Sequence, residues 1–166
     1  MKRSDKKNKS GFTLIEALIA MVLLGIAMVA LVTTNVAHSQ ANAYGINTST
    51  AEFLVEEIRA MTAHLNVTDP ETATTTFGAE AGETSVADYD DLDDFDGKSF
   101  SPPVNVSGTE LTDFSEYSQD VTVENVDPAD LTNVIADHGS SIVRVSVSVK
   151  MNGKEVSSTS WIRAEL

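Results

Sequence analysis

The chain has 166 residues, no cysteine and a net charge of −14. That length holds one domain with a membrane segment, not two ordinary domains. The missing cysteine excludes disulfide staples, thiolate metal sites and cysteine nucleophiles, and the acidic balance excludes nucleic acid as a general electrostatic partner, because phosphate binding needs clustered Lys or Arg.

Residues 1–11 form a basic leader. Lys2, Arg3, Lys6, Lys7 and Lys9 stand against Asp5 alone, a net of +4, which leaves −18 for residues 12–166. Gly11 closes the leader and Phe12 follows it. Glu16 is the only charge between Lys9 and Glu52, and no charged or strongly polar side chain lies between Ala17 and Val32. Residues 12–36 exceed the roughly 20 apolar residues that a helix needs to cross a bilayer. Positive charge before the run and negative charge after it place the N-terminus in the cytoplasm and the C-terminal part outside. A rival reading is an ordinary secretory signal cut near Ala41-Asn42-Ala43. Gly25 interrupts the run as a helix-weakening or close-packing point. An ionisable group at the margin of a membrane segment is expensive, which marks Glu16 as a functional candidate.

The string Gly11-Phe12-Thr13-Leu14-Ile15-Glu16, with the leader before it and the apolar run after it, resembles the prepilin signature of type IV pilins and of the pseudopilins of type II secretion. The resemblance covers about the first third of the chain. It implies cleavage after Gly11 by a prepilin peptidase, N-methylation of Phe12, and docking into a filament through Glu16. It also implies an α+β, pilin-like fold, with a long N-terminal helix packed on a small antiparallel sheet. The partners implied are the peptidase, other pilin subunits, the inner-membrane assembly platform and the membrane itself. The location implied is a single-pass inner-membrane protein with a periplasmic head, later part of an extracellular filament.

Residues 37–66 continue as the amphipathic half of the helix. Tyr44, Ala51, Leu54, Val55, Ile58, Met61 and Leu65 recur at three- and four-residue steps, a stripe that should cover a sheet. Pro70 stops the helix and biases Asp69 away from helical geometry. The head, residues 67–166, opens with a long acidic loop over 67–116. Low-complexity Thr72 to Thr76, several glycines, Pro102 and Pro103 punctuate it.

An antiparallel sheet is expected over 117–166. Val121 and Val123 alternate with polar residues, and Val143, Val145, Val147 and Val149 share one face. Asn152-Gly153 signals a two-residue type I′ hairpin. A simple register puts Val149 opposite Val156, Val143 opposite Ile162, Lys150 beside Glu155, and Arg144 beside Trp161 as a cation–π pair.

Asp88 to Gly97 holds six aspartates in ten residues. Like charges at this density repel unless something offsets them. Ca²⁺ would do so through Asp90, Asp91, Asp93, Asp94 and Asp96, because it takes six to eight oxygen ligands. The spacing is not that of an EF-hand, since aligning Gly97 with the loop glycine puts Leu92 and Pro103 at ligand positions. The alternative is a solvated acidic turn anchored by Tyr89, Leu92 and Phe95. No cofactor is required by any other motif. The string Asp91-Leu92-Asp93-Asp94-Phe95-Asp96-Gly97, preceded by Asp90, resembles one in minor pilins of the mannose-sensitive haemagglutinin type.

His38, His64 and His138 are scattered without metal-ligand spacing, and no nucleophile elbow, phosphate loop or dinucleotide fingerprint appears. The expected function is therefore structural rather than enzymatic: a minor pilin of a type IV pilus-like filament. The alternatives are a type II secretion pseudopilin and a membrane-anchored extracytoplasmic binding domain.

Overall fold

The computed structural model describes residues 11–67 and 76–165. The basic leader before Gly11, the stop at Asp69-Pro70 and nearly all of the Thr72–Thr76 stretch lie outside the described residues. One helix, α1, runs Leu14–Thr62, and the chain divides into two compact units between Tyr44 and Gly45.

In the first unit α1 is long and apolar enough to cross a membrane. Leu18, Ile19, Val22, Leu23, Ile26 and Val29 are all more than half exposed, as suits side chains that take lipid or neighbouring helices for cover. The polar residues at its far end satisfy themselves. Thr33 and Thr34 each donate a hydroxyl to the Ala30 carbonyl at 2.9 Å, so neither adds an unmet donor to an apolar surrounding.

The second unit is built on five antiparallel strands. They are β1 (Ser99–Phe100), β2 (Tyr117–Asp127), β3 (Asp130–Val134), β4 (Ile142–Met151) and β5 (Lys154–Ala164). The sheet order is β1-β2-β4-β5, with β3 paired to the end of β2. Burial alternates along β2 and β4, as period-2 side chains require, so Val121 and Val123 join Val143, Val145, Val147 and Val149 on one covered face. Ala51, Leu54, Val55 and Ile58 of α1 close that face. Tyr44, by contrast, is 68% exposed and stands off the buried stripe.

One amide ties the layers together. Gln119 is fully buried; its Nε2 donates to the Leu54 carbonyl at 2.8 Å and to the Val104 carbonyl at 3.1 Å, while its Oε1 accepts from the Val104 N–H at 2.8 Å. Helix, loop and sheet thus share one satisfied polar residue. At the end of α1, Arg163 donates to the carbonyls of Thr62, Ala63 and Leu65, among the last carbonyls that a helix terminus leaves without intrahelical partners.

The β4–β5 hairpin corrects the simple register. Asn152 and Gly153 have φ of 51° and 77°, the left-handed pair that a type I′ turn demands, and Lys150 pairs with Glu155. Beyond that point the register slips by one. Val149 faces Ser157, Val143 faces Arg163, Arg144 faces Ile162 and Val145 faces Trp161. Val156 is the extra residue of a β-bulge, which a period-2 count cannot see. The slip moves Trp161 to the core side of the strand, where the Arg59 guanidinium lies 5.3 Å from its ring centroid. Arg144 instead pairs with Glu124 at 2.7 Å.

The segment over 76–116, expected as loop alone, contributes β1 to the sheet and is otherwise irregular but packed. It contains two single-turn 3₁₀ segments, Asp93–Phe95 and Thr112–Phe114, and it delivers Leu92, Phe95 and Val104 into the core.

Candidate functional site

Two places carry the candidate residues: the entry to α1 and the acidic loop. At the entry, Thr13 and Glu16 form a capping box. The Thr13 N–H and hydroxyl both donate to Glu16 Oε2 at 2.8 Å, and the Glu16 N–H reaches back to Thr13 Oγ1 at 3.3 Å. The Thr-x-x-Glu spacing is the sequence signal for this device, and it makes Thr13 a partner of Glu16 that charge counting misses. The box sets where the helix begins, three residues after Gly11. Gly11 and Phe12 lie outside the helix, and Phe12 is 92% exposed.

In the loop, burial divides the aspartates. Asp91, Asp93 and Asp94 are 1%, 3% and 0% exposed and so are not solvated, whereas Asp88 is exposed and Asp90 and Asp96 are half-buried. The apolar anchors are as expected: Leu92 and Phe95 are buried, and Tyr89 packs edge-on to Phe95 at 5.1 Å between centroids. Because Leu92 and Phe95 must point into the core, the short 3₁₀ turn between them carries its flanking carboxylates inward as well. The Leu92 N–H bonds the Asn66 carbonyl at 3.0 Å, fixing the loop to the end of the helix.

The three buried carboxylates bring oxygens within 4.8 Å of one another, and Glu80 and Glu83 meet Asp94 on the same terms. Backbone amides hold part of this charge. Asp91 Oδ1 accepts from the Asp93 N–H at 2.9 Å, Asp94 Oδ2 accepts from the Asp90 N–H at 3.0 Å, and Asp93 Oδ1 accepts from the Gly78 N–H at 3.1 Å. Asp91 Oδ2 and Asp94 Oδ1 are buried with no hydrogen-bond partner. Burial, reinforced by the negative charge of Asp93, pushes the Asp91 carboxyl up to about 7. Burial likewise raises Asp93, Asp94 and Glu83. Were all three ionised, each pair of like charges within 4.8 Å would repel by at least about 3 kcal/mol at an effective dielectric near 20. That exceeds the net worth of an ordinary hydrogen bond, about 0.5–1.5 kcal/mol, so the amides alone do not offset it.

The other two aspartates of the expected set lie elsewhere. Asp90 takes part through its backbone N–H, and Asp96 Oδ1 accepts from the Val123 N–H at 2.9 Å, fastening the loop to β2. Glu83 and Glu80 were not visible as members, because no periodicity connects residues 80–83 to residues 91–94.

Comparison with known families speaks to the first of these places. The family model of the prokaryotic N-terminal methylation motif matches residues 6–32. Residues 6–32 carry the type IV prepilin signature. No curated protein and no solved structure matches the chain. A prepilin signature at the head of an apolar helix fits a pilin-like or pseudopilin subunit anchored in the inner membrane, processed by prepilin peptidase and assembled with other pilins. Such families are structural, and the α+β arrangement of helix on antiparallel sheet is pilin-like.

Proposed function

We propose that the chain is a minor pilin. It is cut between Gly11 and Phe12, methylated at Phe12, and built into a type IV pilus-like filament. The observation that carries this reading is the methylation motif over residues 6–32, joined to a helix whose apolar side chains from Leu14 to Val36 are uncovered. The acidic string at residues 90–97, similar to that of haemagglutinin-type minor pilins, favours a minor pilin over a secretion pseudopilin. The head faces the periplasm before assembly, since the basic leader stays in the cytoplasm.

Glu16 serves assembly. Among the described residues it meets only neutral donors, those of Thr13. In the low-dielectric centre of a helix bundle a carboxylate needs a positive partner, and the methylated amino group of a neighbouring subunit supplies one. Glu16→Ala and Glu16→Val should therefore leave the protein inserted and cleaved but deplete it from sheared surface filaments. Normal incorporation of both variants contradicts the assembly role. Retention of the wild-type protein in the envelope, absent from any sheared filament, favours the pseudopilin alternative.

A further inference from the structure

We propose that the loop over residues 80–96 binds one calcium ion, through Asp91, Asp93 and Asp94 with Glu83 beside them. The inference stands independently of the pilin reading. Its first support is the geometry: three nearly inaccessible carboxylates offer oxygens within 4.8 Å of one another. Its second is the orphaned pair. Asp91 and Asp94 each give one oxygen to backbone amides and leave the other, Asp91 Oδ2 and Asp94 Oδ1, buried and unpartnered. The amides fix the direction of both carboxylates, as ligand-holding contacts do. No ion pair among the described residues reaches these three aspartates; Lys98, the nearest base in sequence, lies over the Tyr89 ring at 5.0 Å instead.

The ligand class follows from the donors. Every side chain at the site offers carboxylate oxygen, which selects a hard cation over a soft one. Calcium tolerates irregular coordination and gives up its water, whereas magnesium demands a near-ideal octahedron and keeps several waters, which a site this buried does not favour. Asp93 also lines a pocket of about 180 Å³, shared with Val67, Phe77, Asn125, His138 and Ser140. The bound ion would fix the turn that seats Leu92 and Phe95 in the core.

The test uses the full-length protein in detergent micelles. Titration with CaCl₂ should read one site, and calcium at a hundredfold excess over Kd should raise the melting temperature by about 5–10 °C relative to EGTA. The double variant Asp91→Asn/Asp94→Asn should lose both effects. In EGTA it should melt no lower than wild type, because removing like charges relieves repulsion. Glu83→Gln should weaken binding about tenfold, and the exposed Asp113→Asn should change nothing. A wild-type protein that neither binds calcium nor melts differently with it overturns the proposal, and so does unchanged calcium binding by the double variant.

Discussion

Asp120 of β2 and Lys150 of β4 sit diagonally across the strand pair, with Nζ and Oδ2 2.8 Å apart. The hydrogen bond from Lys150, helped by one from Ser99, holds the Asp120 carboxyl below its ordinary value of 3.8. A carboxylate lowered on folding stabilises the native state above its unfolded pKa, and that contribution fades as pH falls through the folded value. Asp120→Asn should thus lower the melting temperature by about 1–3 °C at pH 7, discounted for solvent screening. The gap to wild type should close below about pH 4, and melting curves across that range check it. At this scale the sequence revealed chemical kinds better than partners. The carboxylate density at residues 88–96 was legible, as were the anchors Leu92 and Phe95. Which aspartates turn inward was not, because that depends on a three-residue 3₁₀ turn whose direction is set by tertiary packing. Gln119 and Arg163 were silent for the same reason: their partners, Leu54, Val104 and Thr62 to Leu65, are distant in sequence.

Elements announced themselves wherever a period ran long enough. The valines of β4 and the buried positions of α1 repeat at 2 and at 3–4 residues, and both lie in the core. β3 gave no such signal, because all five of its residues are exposed and it follows Pro128. The β5 bulge was hidden too, since one inserted residue leaves the alternation locally intact while reversing the face of everything after it. Its consequence can be measured, because Trp161 is the sole tryptophan. The bulged register sets Trp161 against Arg59, and the unbulged one would set it against Arg144. Arg59→Gln should shift the Trp161 fluorescence maximum and destabilise the chain by about 0.5–1 kcal/mol. Arg144→Gln should leave the emission unmoved. The reverse pattern would contradict the register.

On the scale of the whole molecule, the two units answer different physical demands. The first presents apolar side chains without cover and so requires lipid or other helices. The second closes its own core without a disulfide, through the valine face, the α1 stripe and the inward turn of the acidic loop. The proposed processing acts at the junction between Gly11 and Phe12. Intact-mass and N-terminal analysis of the protein isolated from the membranes or filaments of its native host tests it most directly. The predicted result is a chain beginning at Phe12 and heavier than unmodified residues 12–166 by one CH₂, the net gain when a methyl group replaces an amine hydrogen. A mature N-terminus beyond residue 40, or a chain that keeps its basic leader, would contradict it.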